Sequence, residues 1–311
     1  MNIQQFQYVL AVVDSENFEL AAEKCFVTQS TLSTMINRFE SEIGIKVFNR
    51  KTKPVTVTQE GKQIIDRLRI IINEIDSLNN VVQEIKGAME GQLKIGIIPT
   101  IAPYLLPLFI DEFSARFPRV SILIKEMTTE QIRSDLLLRN IDIGILALPL
   151  DHNELSEIPL YNEPFLIYDC TGNLKKGMVS PDNLDYSKIC LLEKGHCLRT
   201  QVYDICKLSE KYVESNVNYK FESGSMESLI RITNSRKGIT ILPYLAYTTL
   251  PELEKQKVNP FVKPVPVRAV GLVTHRFFVK KALMRDLEEI ILKSVKPLIP
   301  AMDDAEIISP V

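Results

Sequence analysis

Seven aliphatic residues, Ile64, Leu68, Ile71, Ile75, Leu78, Val82 and Ile85, follow one another at alternating spacings of four and three. A 3.5-residue period held this long is the seam of a coiled-coil helix. Thr58 is placed to cap that helix through its side-chain oxygen, and Glu60 sits near the positive end of its dipole. Gly87 and Gly91 close it and open a hinge. Ile65, Ile72 and Val81 widen the stripe, so packing on its own domain stays open as an alternative to pairing with a second copy. Either way, the chain has a head before this helix and a body after it.

The head reads as three short helices and a hairpin. Ile3 to Val13 places Ile3, Phe6, Leu10 and Val13 on one face, and Phe18 to Cys25 turns Phe18, Ala21, Ala22 and Cys25 inward. Phe26-Val27-Thr28 breaks the period, and Thr28 can cap a third helix lined by Leu32, Ile36, Phe39 and Ile43. Its other face carries Gln29, Ser30, Thr31, Thr34, Asn37 and Arg38, groups suited to base edges and phosphates in a major groove. Any surface helix has a polar face; the context is what points to a helix-turn-helix. The basic turn Asn49-Arg50-Lys51-Thr52-Lys53-Pro54 between Lys46-Val47-Phe48 and Val55-Thr56-Val57 reads as a wing, with Arg50, Lys51 and Lys53 set for phosphate contact.

The whole chain is not basic: 37 Lys and Arg stand against 39 Asp and Glu in 311 residues, a formal charge of -2. That excludes a uniformly cationic nucleic-acid binder and leaves a local basic surface. The start of the chain lacks the charged and apolar segments of a signal peptide, and its longest nearly apolar stretch, 95–110, is shorter than the ~20 residues a bilayer span needs. The expectation is a cytoplasmic protein with no membrane contact. Five cysteines without a Cys-x-x-Cys pair, and three scattered histidines, point to neither a disulfide scaffold nor a metal site. No phosphate loop or nucleophile elbow is present, so no cofactor is expected and the chain is not read as an enzyme.

After residue 91 the pattern turns to alternating strands and helices. Strand-like runs at 93–98, 120–124 and 141–148 enclose helical segments at 103–117 and 129–139, which predicts α/β structure with a mainly parallel sheet. A second set follows, with strands at 165–168, 189–192, 217–221, 238–242 and 270–274, helices at 200–211 and 225–235, and a closing helix at 280–295. Two lobes joined by crossovers near 165 and 268 suit a sensor that binds something in a cleft.

This layout resembles the LysR-type bacterial transcription regulators over nearly the whole chain. The resemblance is carried by Phe18-x-x-Ala21-Ala22 through Gln29-Ser30-Thr31-Leu32-Ser33, by the helix start Thr58-Gln59-Glu60-Gly61 and by the two-lobed body. It implies an α+β protein with a winged helix-turn-helix (1–58), a coiled-coil linker or dimerisation helix (59–90), a two-lobed α/β sensor of periplasmic-binding-protein type (91–300) and a tail (301–311). Lobe I would take about 92–164 and 269–300, and lobe II about 165–268. It also implies double-stranded promoter DNA as partner, a homotetramer built as a dimer of dimers, and contact with RNA polymerase. Ser30 stands where many relatives carry proline.

A narrower resemblance, to the peroxide-sensing members of that family, rests on Gly96-x-Ile98-Pro99-Thr100-x-x-Pro103-Tyr104, Glu193-x-Gly195-His196-Cys197-Leu198-Arg199-x-Gln201, Cys206 and Gly238-Ile239-Thr240. It implies that hydrogen peroxide is the signal and that Cys197 and Cys206 are the redox-active pair, reset by a thiol reductant system. Thr100, Thr129, His196 and Arg268 would be peroxide-site neighbours, with Arg268, His196 or Arg199 favouring the thiolate. On the residues alone, Cys197 and Cys206 also fit two buried structural thiols. Two other functions stay open: a regulator binding a small anionic metabolite between the lobes, and a thiol enzyme using Cys197 and His196. Spacing adds one physical point. An all-helical 197–206 segment would hold the two Cα atoms roughly 13 Å apart, while a disulfide needs about 4.4 to 6.8 Å. Bridging would remodel the segment.

Overall fold

The computed structural model describes residues 1–85, 90–208 and 223–310, and the chain divides into an N-terminal unit, to which Leu138–Asn140 also belong, and a larger C-terminal unit.

In the N-terminal unit, α1 (Ile3–Ser15), α2 (Phe18–Lys24) and α3 (Gln29–Ile43) precede the strands β1 (Phe48–Asn49) and β2 (Thr56–Val57) and the long helix α4 (Gln59–Ile85). Each short helix is started by a polar cap. Asn2 and Gln5 form a reciprocal capping box on α1, Asn17 accepts from Glu19 and Leu20 of α2, and Thr28 accepts from Thr31 of α3. Leu32, Ile36 and Phe39 of α3 are buried as their period predicts, with Phe18, Ala21 and Ala22 of α2 beside them. The face expected for α1 is centred differently. Tyr8, Val9 and Val12 are fully buried in the core, Phe6, Leu10 and Val13 pack against it half-buried, and Ile3 is 49% exposed. Nine apolar residues crowd into the first thirteen, so periodicity alone leaves several inward faces open, and packing against α2, α3 and α4 selects one. Thr58 caps α4 through Gly61 N–H at 3.0 Å. Ile65 and Leu68 join the head core, whereas farther along Ile71, Leu78 and Val82 are exposed. Residues 86 and 87, where the helix was expected to end, lie outside the described residues.

The C-terminal unit runs β3 (Gly91–Ile97), α5 (Ala102–Arg116), β4 (Val120–Glu126), α6 (Thr129–Leu137), β5 (Ile143–Leu148) and the 15-residue β6 (Leu155–Asp169). There follow α7 (Cys197–Ile205), α8 (Met226–Ser235), β7 (Ile239–Pro243), α9 (Tyr244–Thr248), α10 (Glu252–Lys255), β8 (Val258–Pro260), β9 (Val265–His275), α11 (Lys281–Val295) and β10 (Ala305–Ile307). Strand order is β4-β3-β5-β9-β6-β7, with β8 on β6 and β10 on β9.

The sheet is mixed, which corrects the expectation of a mainly parallel one. β3 is parallel to β4 and β5, and β10 to β9, but β5–β9, β6–β9, β6–β7 and β6–β8 are antiparallel. The reason is the crossovers. β6 leaves and β9 returns as two long strands paired from Leu155↔His275 to Pro164↔Val267, so the two passages between the lobes zip together. Each end of that ribbon supports a separate apolar core. One gathers Ile95, Phe109, Ile145 and Leu287, the other Phe165, Ile167, Val202 and Ile241.

Two further expectations shift. Residues 189–192 form isolated bridges, Ile189↔Ile239 and Leu192↔Ser223, rather than a strand. The helix expected at 200–211 begins at Cys197 and ends at Cys206, where Lys207 takes a left-handed φ of 48°. Residues 209–211 and the strand expected at 217–221 lie outside the described residues. The result is an α+β chain with a winged helix-turn-helix, a long linker helix and a two-lobed α/β body.

Candidate functional site

Thr100 and Thr129 both sit just past the carboxyl ends of parallel strands, Thr100 after β3 and Thr129 at the start of α6 after β4. The crevice outside such strand ends is where open α/β sheets place ligands. Arg268 enters the same region from β9. Its side chain is 1% exposed and is held by three groups: Glu163 Oε2 at 2.7–2.8 Å, Thr100 Oγ1 at 3.0 Å and the Thr100 carbonyl at 3.1 Å. Glu163 lies opposite Arg268 in the crossover ribbon, and its other oxygen accepts from Leu245 N–H of α9 at 2.7 Å. The buried cation is therefore paired in place.

Cys197 is the first residue of α7, 5% exposed, with His196 as its N-cap. Burial is the largest influence on its thiol and pushes the pKa up. Against that, the Arg268 charge, the Thr129 hydroxyl and the N–H groups of Leu198 and Cys197 itself favour the anion. Thr129 Oγ1 approaches the sulfur, yet by strict geometry it has no hydrogen-bond partner among the described residues. Thr100 Oγ1 accepts from Arg268, which leaves its own proton free to donate. His196 is buried, with Nε2 3.7 Å from Glu193 Oε1.

The structure thus brings Thr129, Arg268 and Cys197 together and joins Thr100 to Arg268, with His196 adjacent. Arg199 points elsewhere, donating to Leu192 O at 2.6 Å and Tyr203 Oη at 3.2 Å. Arg268 acts on the thiol in the direction expected of it, toward the anion, while desolvation is the larger effect and Glu163 pairs with the guanidinium.

Cys206 lies at the other end of α7. Both thiols are free, and Cys206 is 1% exposed, its pKa pushed up to about 12 by burial. The two cysteines belong to different cores. Cys197 packs with Ile98, Leu105 and Val270, while Cys206 packs with Leu198, Val202 and Phe261. Nine helical steps at ~1.5 Å keep their Cα atoms roughly 13 Å apart.

In the head, Gln29, Ser30, Thr31, Thr34 and Arg38 are all exposed on one side of α3. Ser30 and Thr31 hydroxyls bond Thr28 Oγ1 at 2.9 and 2.8 Å, which orders the start of the helix. Lys51 and Lys53 are exposed on the wing. Arg50 is more constrained: it donates to Ser33 Oγ at 2.9 Å, lies 3.7 Å from Glu40 and stacks 4.6 Å over the Phe18 ring.

Comparison with known proteins agrees with this arrangement. Residues 3–62 match the family described as bacterial regulatory helix-turn-helix protein, lysR family, and residues 86–296 match the LysR substrate binding domain. The chain belongs to the LysR family. Within it, the chain is 34% identical over 277 residues to the DNA-binding transcriptional dual regulator OxyR of Escherichia coli, covering 88% of this chain and 89% of that protein. It is 31% identical over 279 residues to the HTH-type transcriptional regulator EstR of Acinetobacter baylyi, covering 88% and 91%. A full-length OxyR structure from Pseudomonas aeruginosa superposes with a TM-score of 0.75 at 28% identity, covering 94% of this chain and 98% of that one. As a LysR-type regulator resembling OxyR, the chain joins a DNA-reading head to a two-lobed sensor.

Three residues with buried contacts in this LysR body and head were given no role in the sequence reading. Glu163 had a visible signal: it is the one charge bordering the apolar run Pro164-Phe165-Leu166-Ile167, as Arg268 is within Pro266-Val267-Arg268-Ala269-Val270. Glu40 is 2% exposed and accepts from Val47 and Phe48 N–H at 2.7 and 3.2 Å, tying α3 to the wing. Gln201, quoted in the His196-Cys197 segment but given no role there, is fully buried and lies between the two cysteines in sequence.

Proposed function

We propose that this chain is a hydrogen peroxide-responsive transcription regulator that switches through a reversible Cys197–Cys206 disulfide. The observation that carries the reading is a thiol at a helix N-terminus beside the Thr129 hydroxyl and a buried arginine that is itself bonded to Thr100, with a second buried thiol at the far end of the same helix. Similarity to OxyR proteins supports the choice of peroxide as signal.

The chemistry follows from those groups. Thr100 and Thr129 hydroxyls orient a peroxide molecule against Cys197. The thiolate attacks one oxygen, an S–O bond forms, the O–O bond breaks, and hydroxide leaves to be protonated to water. The sulfenic acid is then attacked by the Cys206 thiolate; an S–S bond forms, the S–O bond breaks and a second water leaves. Two thiols are oxidised, one peroxide is reduced, and a thiol reductant resets the pair. Oxidation must shorten α7, and this biases the shape of the sensor. The head, acting as part of a homo-oligomer, carries that bias to promoter DNA and RNA polymerase.

An anionic metabolite is the weaker reading, because Glu163 neutralises the cation that would hold it. The deciding experiment exposes reduced protein to one equivalent of peroxide, blocks free thiols and maps cysteines by non-reducing digestion. A Cys197–Cys206 linkage is expected, absent in Cys197→Ser. Two free thiols would overturn the switch and favour a metabolite-binding regulator.

A further inference from the structure

The chain's last strand is packed against the redox helix. β10 pairs in parallel with β9 at Ala305↔Val265 to Ile307↔Val267, and the pairing is extended by Val265 N–H to Asp304 O at 3.0 Å and Ile308 N–H to Val267 O at 2.9 Å. Ile308 is 9% exposed and sits in the same apolar core as Val202 and Cys206. Its carbonyl accepts from Gln201 Nε2 at 2.8 Å, a buried bond between residues 107 positions apart. Gln201 Oε1, equally buried, has no partner among the described residues. Beside this junction is a cavity of ≈ 230 Å³ lined by Tyr186, Cys206, Phe261, Pro266, Glu306 and Ile308.

These contacts meet at the one helix that cannot survive oxidation unchanged. Gln201 lies midway between the two cysteines. Drawing their Cα atoms from roughly 13 Å apart to disulfide range removes about half the length of the helix between them. A side chain projecting from the middle of that segment cannot keep a 2.8 Å bond to a fixed carbonyl, and its unpartnered oxygen offers no second anchor. Ile308 loses part of the apolar core it shares with Val202 and Cys206 in the same event.

We propose that residues 304–308 are a strap, fastened to α7 through Gln201, that holds the reduced form and comes off β9 when Cys197 and Cys206 join. The proposal rests on the disulfide reading above. Closure takes the Cys197 sulfenic acid and the Cys206 thiol to a disulfide and water, with peroxide as the oxidant of the earlier step. Gln201 is a positioning residue here, acting on the second step and not on the first. Release also bares the buried β9 edge at Val265–Val267, the point where the chain passes between the lobes.

Hydrogen exchange on the full chain tests this, comparing reduced protein with protein whose disulfide is verified by mass. Amides of 304–308 and 265–267 should exchange at least about tenfold faster in the oxidised form, as a locally opened ladder does. Unchanged protection in disulfide-bonded protein would overturn the strap alone. Failure of the disulfide to form would overturn both the strap and the switch. Gln201→Leu and removal of 304–311 should each speed disulfide closure about fivefold, the equivalent of one missing hydrogen bond, while leaving the rate of sulfenic acid formation unchanged. Equal slowing of both steps in Gln201→Leu would mark a general packing role and overturn the proposal.

Discussion

At the level of single residues, the sensor site is a contest between burial and charge around Cys197. Burial holds the thiol protonated, while Arg268 pulls toward the anion with its charge offset by Glu163. Glu163→Gln should therefore expose the arginine's full charge to the sulfur. The variant is expected to show Cys197 alkylation shifted to lower pH and faster sulfenic acid formation at neutral pH. Breaking a buried pair should also cost about 3–5 kcal/mol of stability; an alkylation profile that does not move would dismiss Arg268 as the charge that acts. Cys206 gives a separate pH signature. Its folded pKa is raised from 9.0 to about 12, so the protonated thiol's stabilising contribution is intact below 9.0 and is lost as pH climbs toward about 12. Reduced protein should lose stability over that interval in denaturant titrations, and Cys206→Ala should lose less. The cysteines, Thr100 and His196 could be picked out because short motifs carry them, while Thr129 and Arg268 rested on the wider family resemblance. Glu163 was missed and Gln201 was quoted without a role, because each takes its contacts from a partner more than a hundred residues away.

Among the elements, the winged head shows how one buried carboxylate can fix two pieces of structure. Glu40 accepts two backbone N–H groups of the wing and lies 3.1 Å from Lys46 and 3.7 Å from Arg50. Glu40→Ala leaves both buried donors unsatisfied and should lower head stability by about 2–4 kcal/mol, read as an earlier transition in thermal melts. The same geometry decides which wing residues test DNA binding cleanly. Arg50 supports the fold through Ser33, Glu40 and Phe18, so its removal would mix packing with binding. Lys51 and Lys53 take no part in those interactions. Replacing both with alanine should weaken DNA binding across sequences and reduce the salt dependence by about 0.9 for each phosphate no longer neutralised; an unchanged slope would remove the wing from the interface. Helix-scale periodicity found α3, with its single apolar stripe, and the extent of α4, whose stripe is widened by Ile65 and Ile72. It misplaced the centre of the inward face of α1, where apolar residues surround the helix, and it missed the antiparallel pairing of β6 with β9, which long-range topology alone decides.

For the molecule as a whole, the long helix and the divided body set how a local event travels. Beyond Leu68, α4 exposes Ile71, Leu78 and Val82 on the seam read from the sequence. Leu78→Glu is expected to weaken self-association, seen as a lower mass in sedimentation at equal concentration; an unaltered mass would return the seam to a role within one chain. The division of the body has a different consequence. Because Cys197 and Cys206 are rooted in separate cores, the disulfide proposed above would take packing away from one core or both. The favourable packing given up on oxidation appears as oxidising strength in the disulfide, where about 30 mV corresponds to a tenfold shift in the equilibrium. On that reading a thiol reductant supplies the two electrons that return the pair to thiols, and the packing regained makes that reduction more favourable. The strength of reductant needed to end the message then depends on how well two greasy interiors fit together, a quantity that selection can adjust far from either sulfur.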